Sequence, residues 1–349
     1  MCVGCSGMKV FPILLVLPML LSAEPFAGTY TTEIQTDFKG KANWINQLRF
    51  DCVQPLGAGF KAELASYSIS RTAEHIIPDR QMFSNIEEEN NAFILAVAGC
   101  AWERSGVRLF GGVRNVNEDY FTTETASLFT NSSCGIFPTI SANMPLANYP
   151  LSSMCVDGSW SNDRLTVRMS LYNGTGHNRW RRGDNVFVVN PVKEGLMTVT
   201  SVDYDADFGS FSGGAFVRSA LRSSVLEGQP EEPVVNAAWW VNLEPSLRLS
   251  ESGRLDFLVQ YSENPVPGNE CRRYGGAGAR WSYTAGRTKG EAGVFADWLE
   301  YAGENEWLCE LTWKCHFKQA FALQPALQVI GNRSGTYPVA LLRFSWQLF

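Results

Sequence analysis

Apolar and polar residues alternate over many short segments of this chain. Residues 165–171 (LTVRMSL) place an apolar side chain at every odd number and a polar one at every even number. The same period of two recurs in segments 44–52, 107–114, 237–244, 254–261 and 307–317. Successive side chains of a β-strand point to opposite faces, so a period of two is typical of strands. The pattern therefore predicts an all-β chain.

The two faces of these predicted strands differ in a way that favours a membrane barrel. The polar face carries four arginines: Arg49, Arg108, Arg168 and Arg254. Burying them in a dry core would be prohibitive, whereas a water-filled lumen keeps them hydrated. The apolar face carries tryptophans near strand ends, where an aromatic girdle would meet the membrane interface. These are Trp44, Trp102, Trp239, Trp298, Trp307 and Trp313. We expect a closed antiparallel transmembrane β-barrel.

The first 23 residues have the layout of a secretory signal peptide. Lys9 precedes a short apolar run, residues 10–21, which is too short for a spanning helix and contains two prolines. We expect cleavage near Ala23. Residues 24–349 would then form one exported domain.

Length and composition set the size of the expected barrel. The chain has 349 residues, of which 45% are hydrophobic and 18% charged, with a formal net charge of −6. After removal of residues 1–23, about 326 remain. At ~20 residues for each strand with its connection, this length predicts about 16 strands. The mild acidity and the scattered arginines argue against a nucleic-acid partner.

A long irregular stretch follows the predicted strand 107–114. Residues 115–150 are rich in Asn, Thr and Ser and show no sustained period. A connection of this length inside a compact chain is usually a functional loop. It carries the adjacent carboxylates Glu118 and Asp119, so we expect it to line a polar cavity. A second irregular polar stretch spans residues 71–91.

Neither the cysteines nor the histidines indicate catalysis or metal binding. Seven cysteines follow the predicted signal peptide, and an odd count fits a complete disulfide framework poorly. Cys309 and Cys315 would lie about 20 Å apart on an extended strand, too far to share a metal ion. No nucleophile motif accompanies His75, His177 or His316. We expect no enzyme activity, no cofactor and no metal.

Four segments, taken in order, resemble the carbohydrate-selective porins of the OprB type. They are residues 80–87 (RQMFSNIE), 111–121 (GGVRNVNEDYF), 128–138 (LFTNSSCGIFP) and 323–330 (LQPALQVI). The resemblance implies a Gram-negative outer-membrane barrel that lets monosaccharides, glucose foremost, diffuse into the periplasm. It also implies loops that fold inward and constrict the pore. The final Phe349 departs from the expected pattern, because it is out of phase with the apolar positions of the predicted last strand.

Candidate residues for the pore constriction and for sugar binding lie in the polar phase of strands or in the two irregular stretches. They are Arg80, Asn85, Glu87, Arg108, Arg114, Asn117 and Glu118, with Arg168 and Trp180 added. Guanidinium, carboxylate and amide groups offer the donors and acceptors that sugar hydroxyls need. The expected partners are small sugars and outer-membrane lipid, and the chain could be a monomer or a homotrimer. Two alternatives stay open: an outer-membrane barrel lipid hydrolase and a secreted glycan-binding β-sandwich.

Overall fold

The computed structural model describes residues 26–181, 184–222, 232–286, 288–317 and 320–349. The predicted signal peptide, residues 1–23, lies outside these ranges. Within the described ranges, no helix is long and apolar enough to cross a membrane.

Sixteen antiparallel strands close into a single barrel, as the sequence predicted. Two further short strands form a separate hairpin. The strands are β1 (Phe26–Thr36), β2 (Ala42–Gly57), β3 (Phe60–Arg71), β4 (Asn91–Arg104), β5 (Val107–Arg114), β6 (Ser153–Ser161), β7 (Leu165–Asn173), β8 (Trp180–Arg181), β9 (Asp184–Asn185), β10 (Leu196–Ala206), β11 (Gly209–Arg222), β12 (Glu232–Ser250), β13 (Gly253–Glu263), β14 (Cys271–Ala285), β15 (Thr288–Tyr301), β16 (Glu304–Phe317), β17 (Phe321–Asn332) and β18 (Gly335–Gln347). β8 and β9 make the hairpin, and β1 pairs with β18 to close the barrel.

The two ends of the barrel differ in the length of their connections. At one end, the short-turn end, two or three residues join the strands, as at 58–59, 105–106 and 162–164. At the other end, the loop end, long connections span residues 72–90 and 115–152. The latter contains one α-helical turn, α1 (Pro138–Ser141), and three 3₁₀ turns. Outer-membrane barrels show this same asymmetry.

The outer surface is apolar between two girdles of tryptophan, which confirms the lipid-facing phase expected from the sequence. Near the loop end lie Trp44, Trp239, Trp298 and Trp307, and near the short-turn end lie Trp102, Trp160, Trp281, Trp313 and Trp346. Leu311, between the girdles on β16, is 60% exposed. The phase inferred for Phe349 was wrong. β18 ends at Gln347, and the Phe349 ring stacks on the outward Phe50 with their centroids 6.1 Å apart.

Both long loops, 72–90 and 115–152, fold into the lumen and pack there against the wall. Phe121 lies 4.7 Å from Trp240 of β12, and Phe129 lies 5.1 Å from Phe295 of β15, measured between ring centroids. The wall makes room for this contact at Gly293, where a Cβ atom would come within 2.7 Å of Leu128. The expectation of inward-folded loops is therefore confirmed.

The third long connection, residues 174–195, takes a different course. Val186 packs against Leu95 and Val113, whose side chains point away from the lumen. Val186 therefore lies over the outside of the wall. Trp180, which the sequence placed in the pore, stacks there on Phe93 with ring centroids 5.2 Å apart.

Candidate functional site

Four arginines of neighbouring strands meet five carboxylates inside the barrel. Arg49 comes from β2, Arg108 and Arg114 from β5, and Arg168 from β7, each at a lumen-facing position. We call the whole set the arginine–carboxylate network, which consists of Arg49, Asp51, Glu63, Arg108, Arg114, Glu118, Asp119, Asp157 and Arg168. All four arginines were in the polar phase of the predicted strands. The network includes four of the nine predicted site residues: Arg108, Arg114, Glu118 and Arg168.

The wall half of the network joins residues of β3, β5, β6 and β7. Both Glu63 carboxylate oxygens lie 2.9 Å from Arg108 Nη2, and Glu63 Oε2 lies 2.9 Å from Arg114 Nη1. Asp157 Oδ1 lies 3.3 Å from Arg108 Nη1 and 3.4 Å from Arg168 Nη1. Each carboxylate is shared by two arginines, so the charges form one connected set rather than isolated pairs.

The loop half is supplied by the start of the 115–152 loop. Its first 3₁₀ turn, Val116–Glu118, is held by a hydrogen bond of 2.8 Å from the Val116 N–H to the Ala147 carbonyl. The turn directs the two adjacent carboxylates to different strands. Glu118 receives hydrogen bonds of 2.8 and 2.9 Å from Arg49.

The second loop carboxylate, Asp119, reaches β5 and β7. Its Oδ1 lies 2.9 Å from Arg114 Nη2 and 2.7 Å from Arg168 Nη1. Asp119 therefore ties the loop to the same arginines that hold the wall half. The loop and the wall meet through charge-assisted hydrogen bonds, which are stronger than neutral ones.

Aromatic rings support the guanidinium groups from one side. Arg49 lies 5.0 Å from the Tyr67 ring centroid, and Arg114 lies 4.9 Å from that of Phe110. Such stacking holds a flexible side chain in one orientation at a cation–π distance. The arginines therefore present donors at fixed positions.

The network stays in contact with water in the lumen. The Arg49 side chain is 25% exposed and that of Asp51 is 32% exposed. Burial disfavours the charged form of Glu118, but the hydrogen bonds from Arg49 outweigh it and hold the pKa of Glu118 below its usual range. Glu118 therefore remains charged at neutral pH. The network offers fixed charged donors and acceptors to a passing solute.

Asn85 and Glu87 lie on the other inward loop, and their roles differ. Asn85 Oδ1 accepts a hydrogen bond of 2.8 Å from Arg343 of β18, so Asn85 faces the lumen wall. Glu87 is buried and braces its own loop, with Oε2 3.1 Å from His75 Nδ1 and 3.3 Å from Gln35 Nε2. Its assignment to the pore lining was wrong, because its carboxylate is surrounded by side chains.

Glu87 also stabilises the positive charge of a neighbouring histidine, His75. His75 contacts Asp79 and Glu87. Burial disfavours the charged ring, but the hydrogen bonds to the two carboxylates outweigh burial and raise the pKa of His75 to about 10. His75 is therefore a cation at neutral pH that holds the 72–90 loop together.

Three other predicted site residues are not members of the network. Arg80 is exposed at the loop end, with its guanidinium 4.6 Å from the Tyr301 ring centroid. Asn117 accepts a hydrogen bond of 2.7 Å from the Tyr149 N–H and so fixes the loop to itself. Trp180 lies outside the barrel. The polar sequence around these three residues does not distinguish them from residues that line the lumen.

Carboxylates of the far wall hold the backbone of the inward loops, and sequence analysis did not single them out. Glu310 of β16 accepts hydrogen bonds of 2.9 Å from both the backbone N–H and the hydroxyl of Thr130. Glu306 accepts from the Arg80 and Gln81 N–H groups at 2.9 and 3.1 Å. Glu310 lies in the polar phase of segment 307–317, and Glu306 directly precedes that segment. The alternation of this segment predicts that both side chains face the lumen. It does not predict their partners in the loops, which are distant in sequence.

The histidines and cysteines do not form a hydrolytic or metal site in the described part of the chain. His177 and His316 each lie 3.1 Å from a carboxylate oxygen, of Glu194 and Glu291 respectively. Among the described residues, no serine or threonine hydroxyl and no cysteine thiol is hydrogen-bonded to a histidine ring. The seven cysteines that the model describes are free, and no described cluster of His, Cys, Asp and Glu could hold a metal ion. The pairing that a lipid hydrolase requires is not found there.

Comparison with solved structures places this architecture among outer-membrane porins. OprB of Pseudomonas putida superposes with a TM-score of 0.77 at 13% identity, over 93% of this chain and 94% of that one. OmpT, an outer-membrane protein of Vibrio cholerae, gives a TM-score of 0.60 at 10% identity, over 92% and 98%. A mutant of Rhodopseudomonas blastica porin gives 0.57 at 10% identity, over 93% and 99%. No family model and no curated protein matches the sequence. The shared property is the fold.

Proposed function

We propose that this protein is a porin of the Gram-negative outer membrane that allows monosaccharides of glucose size to diffuse passively into the periplasm. The short-turn end would face the periplasm and the loop end the outside, as in other outer-membrane barrels. Residues 1–23 would direct export. The apolar belt between the tryptophan girdles would contact membrane lipid.

One observation carries the proposal: the 115–152 loop crosses the lumen and meets the wall through the arginine–carboxylate network. Sugar hydroxyls both donate and accept hydrogen bonds, so they can replace water between guanidinium and carboxylate groups at low cost. Arg49, Asp51 and Glu118 are the members of the network through which such a solute would pass. The hydrogen bonds between the sugar and the network would be short-lived, and water would replace the sugar as it moves on.

Transport by this route needs weak binding. Selectivity in a pore comes from its width and from the groups that line it, and a solute must leave as readily as it arrives. The carboxylates of the network are already bound to arginine, so a sugar gains little beyond what water offers. A fixed, partly hydrated lining of this kind suits diffusion and needs no nucleophile or cofactor.

Liposome swelling tests the proposal. The purified, refolded chain is reconstituted, and swelling is followed in isosmotic glucose or maltose. We expect fast swelling in glucose and slower swelling in maltose, with neither in liposomes that contain boiled protein. Gel mobility that changes on heating establishes that the chain is folded. A folded, inserted chain that admits no glucose would refute the proposal.

A further inference from the structure

The lumen face of β16 carries charged side chains at intervals of four residues. Glu306 and Glu310 hold the backbone of the inward loops. The next one toward the short-turn end is Lys314, which is half-buried. Among the described residues, its ammonium group has no carboxylate within ion-pair distance and donates no hydrogen bond. Within the described part of the chain, Lys314 is therefore a cation inside the barrel without a partner.

The acid beside Lys314 is occupied by other residues. Glu291 of β15 is its partner in the strand register. Glu291 Oε1 lies 2.7 Å from Arg280 Nη2, and Oε2 lies 3.1 Å from His316 Nε2. Glu291 attracts Lys314 only from beyond contact distance, while the charges of Arg280 and Arg343 repel it.

The neighbours on the other side are also occupied. Arg343 of β18 lies 2.7 Å from its partner, Glu33 of β1. Gln324 of β17, which is paired in register with Arg343, donates its amide N–H at 2.6 Å to the Leu128 carbonyl of the inward loop. The carboxylates nearest this face, Glu33 and Glu291, are each paired with other residues, so no described carboxylate is left to neutralise Lys314.

The other described lysines differ from Lys314 in place or in pairing. Lys61 lies 2.5 Å from Glu103, and Lys41 donates to the Ile76 carbonyl at 3.2 Å. Lys39 and Lys193 are exposed in turns or loops, where water surrounds them, and Lys289 is exposed at the start of β15, next to the short-turn end. In the part of the chain that the structure describes, Lys314 alone combines a half-buried, lumen-facing strand position with the lack of a partner.

We propose that Lys314 is a binding site for the carboxylate of an acidic monosaccharide in transit. An ammonium group that has lost part of its hydration gains from an anion that reaches it. The anion would also relieve the repulsion from Arg280 and Arg343. The inference rests on the proposed function, since it adds a preference for sugar acids to a pore that admits neutral sugars. Residual water keeps the binding weak enough for release.

Fluxes of gluconate and glucose through Lys314→Gln test this site. Both solutes are measured by liposome swelling with the full chain. We expect the gluconate rate to fall about two- to fivefold relative to the glucose rate, as for the loss of one partly hydrated ion pair. Lys314→Arg should restore the ratio because it keeps the charge. Lys193→Gln removes the same charge from an exposed turn of the 174–195 connection and should leave the ratio as in the wild type.

The possible outcomes separate the two proposals. A wild-type ratio in folded Lys314→Gln overturns the site, and so does an equal fall in both rates. If the wild type passes no glucose, the proposed function fails. A gluconate current in planar bilayers that depends on Lys314 would still support the anion site in that case.

Discussion

The arginines of the arginine–carboxylate network differ in how deeply they are buried among their carboxylate partners. Arg114 is almost fully buried between Glu63 and Asp119, whereas Arg49 remains partly exposed beside Glu118. Buried charges are strongly destabilising when they lose their partner, and exposed ones are much less so. Arg114 therefore positions the loop, and Arg49 is better placed to meet solute.

Arg114→Gln should make the pore more cation-selective. The substitution leaves Glu63 and Asp119 with less positive charge beside them, so K⁺ should pass more readily than Cl⁻. We expect the K⁺/Cl⁻ permeability ratio to rise about twofold, as for a partly screened charge. The reversal potential across a planar bilayer in a KCl gradient measures it. Arg164→Gln, in an exposed turn at the short-turn end, is the control; an equal change there would contradict the prediction.

His75 should make the 72–90 loop less stable at alkaline pH. Its pKa is raised from an ordinary value near 6.5 to about 10 in the folded chain. Its stabilising effect is complete below pH 6.5 and declines as the pH rises through 10. Hydrogen exchange of residues 75–90 should accelerate over this range, beyond the intrinsic increase with pH. The His75→Gln variant should lack the extra acceleration, and a wild type that behaves like it would refute the role of the charge.

At the scale of elements, the faces of the strands could be predicted and the paths of the loops could not. A period of two reveals which side chains share a face, and Arg108 and Arg168 lie in the lumen as expected. The loop path depends on contacts such as Thr130 with Glu310, which are 180 positions apart. Nothing local distinguishes Glu87, a brace, from Glu118, a member of the network. The sequence predicts Trp180 to be an aromatic residue of the pore, but in the structure it stacks on Phe93 outside the barrel.

Glu310→Gln should loosen the inward loop without unfolding the barrel. The amide can still accept hydrogen bonds but lacks the charge, so the contact with Thr130 should weaken by about 1–2 kcal/mol. We expect faster hydrogen exchange in residues 122–135 and noisier single-channel current. Glu300→Gln, a change of the same type on β15 near the loop end, should alter neither. Unchanged exchange in Glu310→Gln would show that Glu310 does not hold the loop.

The two faces of the single barrel sheet suit two different environments, membrane lipid outside and water inside. Its outer face is apolar between tryptophan girdles, and its inner face is polar and bound to two loops. Because side chains alternate along the strands except at a few register shifts, each surface is set mainly by every second residue. A membrane-facing position and a lumen-facing position on the same strand should therefore respond oppositely to charge.

Leu311→Arg tests the lipid-facing assignment. Leu311 lies near the middle of β16, so a charge there should cost about 2–4 kcal/mol of unfolding free energy in lipid vesicles. Asn305→Arg, at the loop end of the same strand, should cost far less. Urea titration of the refolded chains measures both. Equal stabilities would mean that Leu311 does not face the bilayer core.

The most direct test of the account is the ratio of glucose to maltose swelling rates in the wild type and in the double variant Arg49→Gln, Glu118→Gln. These two residues join the loop to the wall at the partly exposed edge of the network. We expect a high ratio in the wild type and a ratio closer to one in the variant, because the loop would no longer be held against β2. Equal ratios in two folded, inserted proteins would contradict the claim that this contact narrows the pore to monosaccharides.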